Sequence, residues 1–283
     1  MKLRIAIPNK GRLRGPAIEL LKSAGLKMQD VDEKALFVRT NNENIDIISV
    51  RVEDIPEFVE DGAADIGVVG RDMVVEKGVR VKELMELNFG YCSLVLAAKD
   101  DSGIGSVKDI KDGTRVATKF VNTAKGYFKK NGKRVEIVQL SGAVEVAPVI
   151  GLAEVIIDLT STGSTLKTHG LRAVDTLLES QAVIIGNREC CGSVVDELLL
   201  DIRGVVSAEK KKYLMVNLPE DKLAELEKTS KGMLSPTVTR LDKPGWISAQ
   251  MVVDEREILT LIKDLKGLGG RDIIVLPIER LVK

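Results

Sequence analysis

Val155-Ile156-Ile157-Asp158-Leu159-Thr160-Ser161-Thr162-Gly163-Ser164-Thr165 begins as an apolar run, passes through five hydroxyls and a glycine, and leads into Leu166-Lys167-Thr168-His169-Gly170. The order reads as buried strand, tight polar loop and helix start. Glycine allows a turn that other residues resist. Successive N–H groups in such a turn form a concavity that takes an anion, and the first turn of a helix adds free donors and a positive dipole end. Ser161, Thr162, Gly163, Ser164 and Thr165 therefore suit a phosphate. Asp158 would repel one, unless it faces hydroxyls. Phosphate on one side and hydroxyls on the other describe a ribose 5-phosphate. The same run also fits an ordinary capping segment, because Ser and Thr satisfy free N–H groups before helices. It is not a Walker loop, since Ser164 stands where lysine is required, and it is not G-x-G-x-x-G.

Working outward, alternating strand and helix patterns surround this loop. Leu3–Ile7 reads as a strand, followed by the basic turn Asn9-Lys10-Gly11-Arg12 and a helix over Pro16–Gly25. Ligands of open α/β sheets bind beyond the carboxyl ends of strands, so Lys10 and Arg12 are candidates to meet phosphate, or else ordinary loop charges. Ile45–Val50 is a strand ending at Arg51, Asp54–Val59 opens a helix, and Asp65–Gly70 is an apolar strand before Arg71-Asp72. Such runs suit a parallel sheet covered on both faces. Alternation restarts near residue 93: strands at Tyr91–Ala98, Arg115–Thr118 and Arg134–Gln139, and helices at Thr123–Asn131 and Glu145–Leu152. Gln181–Gly186 is apolar and is expected to return to the first lobe. The expected organisation is one lobe from 1–92 with 178–205, a second from 93–177, and a cleft between them that can close on a ligand. Residues 206–283 follow the order βαββαβ, the ferredoxin-like motif. They contain no polar cluster suited to chemistry and read as regulatory or oligomeric.

Composition narrows the class. The 283 residues carry 42 basic and 42 acidic side chains, so no global field draws nucleic acid or anionic lipid. Aromatics are 3%, which disfavours stacking platforms for single strands. The apolar run near Met1 is too short for a signal peptide, and no stretch approaches the roughly 20 apolar residues that span a bilayer. A cytoplasmic protein is expected. Cys92, Cys190 and Cys191 lack C-x-x-C spacing, so neither a disulfide framework nor a zinc site is expected. His169 is the single histidine and reads as a solvated helix-end residue. Any metal would be a hard ion arriving with phosphates, as Mg²⁺ does.

Several motifs in order then resemble one family, the long-form ATP phosphoribosyltransferases. They are Pro8–Leu13, Asp54-Ile55-Pro56 through Asp65–Asp72, Gly142–Pro148, Gly151-Leu152-Ala153, Asp158–Leu166, Ser235–Val238 and Ile274–Glu279. The resemblance covers essentially the whole chain. It implies a two-lobed α/β core like type II periplasmic binding proteins plus a C-terminal regulatory domain. The implied reaction joins N1 of ATP to the phosphoribosyl group of phosphoribosyl pyrophosphate (PRPP), releasing pyrophosphate, with Mg²⁺ required, as the first step of histidine biosynthesis. Carried over residue by residue, Ser161–Thr165 would hold the 5-phosphate and Asp158 the ribose hydroxyls, with Glu145 near the ribose or Mg²⁺. Lys10, Arg12 and Arg51 would offset phosphate charge. Asp72 is either a ligand contact or a loop cap. Asn217, Leu234, Ser235, Pro236 and Thr237 match the histidine-inhibitor segment, and a dimer or hexamer is implied. His169 and Glu154 depart from the family pattern, outside the phosphate loop. Two other readings of the residues are a binding module without chemistry and a phosphoribosyltransferase for another base.

Overall fold

Short apolar strands joined by helices through the first two-thirds of the chain assemble into two sheets. The computed structural model describes residues 2–28, 36–189, 192–229 and 235–282. The chain divides into two compact units, Met1–Lys22 with Leu26–Val195, and Ser23–Gly25 with Asp196–Lys283.

In the first unit, one lobe runs β1 (Leu3–Pro8), α1 (Arg14–Ser23), β2 (Phe37–Arg39), β3 (Ile45–Val50), α2 (Ile55–Glu60), β4 (Ile66–Gly70), α3 (Arg71–Lys77) and β5 (Lys82–Glu86). The other runs β6 (Cys92–Lys99), β7 (Arg115–Thr118), α4 (Val121–Lys130), β8 (Glu136–Gln139), β9 (Val155–Thr160), α5 (Ser164–Thr168) and β10 (Leu171–Ser180). The chain then returns through β11 (Ala182–Gly186), which pairs antiparallel with β4 and β5, as its apolar run predicts. The sheet orders are β2-β3-β1-β4-β11-β5 and β10-β6-β9-β7-β8. Each lobe has a parallel centre, β3-β1-β4 in one and β8-β7-β9 in the other, flanked by antiparallel strands: β2 and the returning β11 in the first lobe and β6 in the second. This is the two-lobed α/β core that the resemblance implies.

Every residue of β4 and β11 is buried, which explains why both lack alternation. Gly67 is needed in β4 for contact: a Cβ there would lie 2.6 Å from Ile55 and 3.0 Å from Val59, so α2 could not pack as closely on the sheet. In the second lobe Phe120 and Phe128 are fully buried.

The second unit contains α6 (Ser193–Ala208) from Asp196 onward, then β12 (Lys211–Pro219), α7 (Leu223–Thr229), β13 (Thr237–Arg240), β14 (Trp246–Asp254), α8 (Ile258–Gly267) and β15 (Arg271–Pro277). The sheet order β13-β14-β12-β15, antiparallel throughout, is ferredoxin-like. Leu214, Val216 and Leu218 alternate with half-buried neighbours on β12, and they pack with Leu226, Leu261 and Leu265 from the helices. No helix among the described residues is long and apolar enough to cross a membrane.

One expected helix does not form. Glu145–Leu152 holds only a 3-10 turn at Val144–Val146, followed by turns. Pro148 supplies no N–H to continue it, and Gly151 turns left-handed at φ 74°.

Candidate functional site

In each lobe the candidate residues lie at or just beyond the carboxyl ends of the parallel strands. Pro8 pairs with Val50 at the ends of β1 and β3, so Asn9–Arg12 and Arg51 emerge side by side. The Asn9 N–H donates to Val50 O at 2.7 Å and locks the two turns together. In the second lobe, Thr118 pairs with Ile157, which sets Lys119 beside Asp158. The polar loop follows at once from the end of β9, and Glu145 from the turn after β8.

Arg12 joins the two sets. Its Nη1 donates to Ser161 Oγ at 3.5 Å and to Tyr91 O at 3.4 Å, while Nη2 donates to Cys92 Sγ at 2.8 Å. Tyr91 and Cys92 lie where the chain enters the second lobe. A guanidinium from the first lobe thus rests on the first residue of the phosphate-loop candidate. Ser161 Oγ also donates to Tyr91 O at 3.3 Å. Beside them a crevice of about 270 Å³ is lined by Tyr91, Cys92, Ser93, Ser161, Glu179 and Ser180, among others.

The loop braces itself. Gly163 N–H donates to Thr160 Oγ1 at 2.9 Å, and the Thr162 and Ser164 hydroxyls lie 2.9 Å apart. Gly163 has φ 74°, and nothing lies within 4 Å of a Cβ built on it. Helix α5 is only five residues long, so its dipole is weaker than the sequence suggests. Anion binding here falls mainly to the hydroxyls, the loop N–H groups and Arg12. Gly163→Ala is expected to cost about 1–2 kcal/mol in urea unfolding from backbone conformation alone. Parent-like stability would mean that position 163 does not hold its left-handed turn.

Asp158 is half-buried at the end of β9, and its Oδ1 accepts from its neighbour Leu159 N at 2.8 Å. Burial pushes its carboxyl above the ordinary range; the Leu159 N–H and Lys119 oppose this, and the negative charge of Glu145 adds to it. Ala143, just before Glu145, sits at φ 51°, a conformation unfavourable for a side chain. Lys10 and Arg51 are exposed on the first-lobe turns. Asp72 is 4% exposed, and its Oδ1 accepts from Ser180 Oγ at 2.7 Å. Arg71 is held by Glu83 and Glu86 on β5, which push its pKa further up. Lys119 was not among the candidates, although its place directly after the buried run Val116-Ala117-Thr118 marks a strand's carboxyl end.

Among the described residues no group of three or more His, Cys, Asp or Glu could hold a metal. Asp158 and Glu145, near enough for their charges to interact, could offer two hard oxygen donors, which fits a Mg²⁺ shared with phosphates better than a closed protein cage. Cys92 is buried and free; Cys190 and Cys191 lie outside the described residues.

In the second unit, Asn217 Nδ2 donates to Asp272 Oδ2 at 3.1 Å, and Asp272 has φ 50°. Ser235 and Pro236 lead into β13, whose four residues, beginning with Thr237, are all exposed. Leu234 lies outside the described residues.

Comparison with known proteins matches residues 51–204 to a family model described as ATP phosphoribosyltransferase and residues 208–280 to one described as HisG, C-terminal domain. The chain is 44% identical over 286 residues to ATP phosphoribosyltransferase of Methanothermobacter thermautotrophicus, with 100% of both chains covered. It is 44% identical over 288 residues to that of Methanocaldococcus jannaschii, covering 99% of this chain and 100% of the other. Among solved structures, the ATP phosphoribosyl transferase (HisG:HisZ) complex from Thermotoga maritima matches with a TM-score of 0.61 and 31% identity, over 71% of this chain and 98% of that one.

Proposed function

The chain belongs to the ATP phosphoribosyltransferase family, pentosyltransferases of the first step of histidine biosynthesis, and from that premise we propose how its residues carry the transfer. PRPP lies in the interlobe cleft with its 5-phosphate on Ser161–Thr165 and its ribose over Asp158. Adenine N1 of ATP attacks C1 of the ribose, the C1–O bond to pyrophosphate breaks, and the pyrophosphate leaves with that electron pair. The observation that carries this reading is Arg12 reaching from the opposite lobe to Ser161 at 3.5 Å. A sugar phosphate in this loop would meet a guanidinium as soon as it bound.

The ribose gains positive charge as the bond loosens, and pyrophosphate gains negative charge. Positioning and fixed charges are the work left to the protein. Asp158, half-buried, faces the developing cation where screening by water is reduced. Lys10, Arg12 and Arg51 line the first-lobe edge and offset the phosphates of pyrophosphate or ATP. Lys119 adds a cation beside Asp158. Asp158 and Glu145 would hold Mg²⁺, which when bound neutralises part of the pyrophosphate charge.

The second unit is the regulatory part of this reading. Histidine binds by Asn217 and Ser235-Pro236-Thr237, with Leu234, and inhibits; the enzyme works as a homo-oligomer, a dimer or hexamer. Asp272, already on Asn217, would meet the ligand's cationic groups.

Mixing the protein with ATP, PRPP and Mg²⁺ tests the central claim. Pyrophosphate and phosphoribosyl-ATP are expected in equal amounts, with no release when either substrate is omitted. Turnover with a different base and none with ATP would replace the acceptor. PRPP binding without any turnover would make the chain a binding module.

A further inference from the structure

Polar side chains are scarce in the core, yet Asp72, Ser180 and Glu76, only 4%, 5% and 7% exposed, share one seam between the lobes. Asp72 and Glu76 stand one turn apart on α3, so they project from one face. Asp72 meets Ser180, the last residue of β10: its N–H donates to Ser180 Oγ at 2.9 Å, and its Oδ1 accepts from that hydroxyl. Glu76 meets α4. Its Oε1 accepts from Asn122 N at 2.9 Å, and its Oε2 from Thr123 N at 2.9 Å and Thr123 Oγ1 at 2.8 Å. The Glu76 main-chain oxygen accepts from Asn122 Nδ2 at 2.9 Å.

α4 needs this partner. Its own N-cap residue is Phe120, which has no side-chain acceptor. The free N–H groups of a first helical turn require one, and a carboxylate there also faces the positive end of the dipole. In this protein the cap of a second-lobe helix is supplied by the first lobe. Parting the lobes on this side would strand both a buried carboxylate and its donors, and leaving such groups unpaired is costly.

We propose that Glu76 is a positioning residue, a cap supplied across the hinge that sets the spacing of the lobes before substrate arrives. Asp72 gives the same helix its second point of attachment. The contact lies three and four residues beyond Lys119, so it also fixes the carboxyl edge of β7 beside Asp158. The helix terminus that could otherwise receive an anion is filled by Glu76, which leaves phosphate to the Ser161–Thr165 loop. The latch follows from the contacts alone; its effect on PRPP rests on the function proposed above.

If the latch maintains the binding-competent spacing, weakening it reduces the fraction of protein ready to bind, and apparent affinity falls by that fraction. In the ligand-free full chain, Glu76→Gln is expected to speed amide exchange at Asn122 and Thr123 by about tenfold or more, with amides of β9 unchanged. In turnover it should raise the KM for PRPP about tenfold while kcat stays within about twofold. Saturating PRPP should restore protection at the two amides. Thr123→Val, which removes one donor at nearly constant volume, should give the same pattern at smaller amplitude even if Glu76→Gln fails to fold. Parent-like exchange at Asn122 and Thr123 in the variants would overturn the latch, as would a loss of kcat with the PRPP KM unchanged. The exchange measurement needs no substrate, so it decides the latch even if the parent protein does not use PRPP.

Discussion

Asp158→Asn is expected to lower kcat about 100- to 1,000-fold, the scale on which one preorganised electrostatic contact matters in a transition state. The melting temperature at neutral pH should stay the same or rise slightly. The two parts follow from the same burial. A half-buried carboxylate faces the ribose cation with reduced screening, and the same loss of water raises its pKa. Because the folded value lies above the unfolded one, the ionised group opposes folding. Its effect on stability is therefore least at low pH, and stability declines as pH rises from the ordinary aspartate range through the raised value. Asparagine carries no charge at any pH and removes that slope. Turnover should show the opposite dependence: the parent loses activity as acid protonates Asp158, with the midpoint above the ordinary aspartate range. The variant should lack that acid limb. Matched losses of turnover and melting temperature would reduce Asp158 to a strand-end residue of the fold.

The architecture was legible where burial imposes simple patterns. β4 and β11 are short apolar runs because both faces are covered, and β12 and β14 alternate because one face carries helices. Gly163 could be read as a turn because only its φ suits that bend. Elements with broken periods were missed. β10 has register shifts between Ala173 and Asp175 and between Thr176 and Leu178, and these erase the alternation of two. α6 carries the apolar doublets Val194-Val195 and Val205-Val206 and the triplet Leu198-Leu199-Leu200, which blur its helical spacing. α3 begins at Arg71 directly after the strand, with only Gly70 as its N-cap, so Arg71-Asp72 looked like loop.

The site shows the same division. Lys10, Arg12, Arg51, Asp158 and the hydroxyl loop could be proposed because each lies near or beyond the carboxyl end of a recognisable strand. Asp72 could not be sorted between ligand contact and scaffold, and Glu76 gave no signal at all, because their partners Ser180, Asn122 and Thr123 lie 46 to 108 residues away. Distance along the chain, more than chemistry, separates what could be read from what could not.

Arg12→Ala should lower kcat/KM for PRPP about 100-fold, close to the loss of one charge-assisted contact of about 3 kcal/mol. Its side chain is exposed, so stability should change by no more than about 0.5 kcal/mol. That contrast separates a binding group from a strut. In the ligand-free protein all three of its acceptors are uncharged: Tyr91 O, Cys92 Sγ and Ser161 Oγ. Exchanging one of them for a phosphate oxygen is favourable, because it puts a full negative charge opposite the guanidinium, whose fork can bind phosphate bidentately. Arg12→Lys should recover little, since one ammonium cannot span three acceptors set in different directions. Salt provides an independent measure. Added ions screen an exposed charge pair, so the KM for PRPP should climb with ionic strength in the parent and less steeply in Arg12→Ala. If that variant instead kept its PRPP KM and lost affinity for ATP alone, the guanidinium would serve the triphosphate. Ser161–Thr165 would then have to hold the sugar phosphate without a partner from the opposite lobe, and the interlobe placement of PRPP would fail.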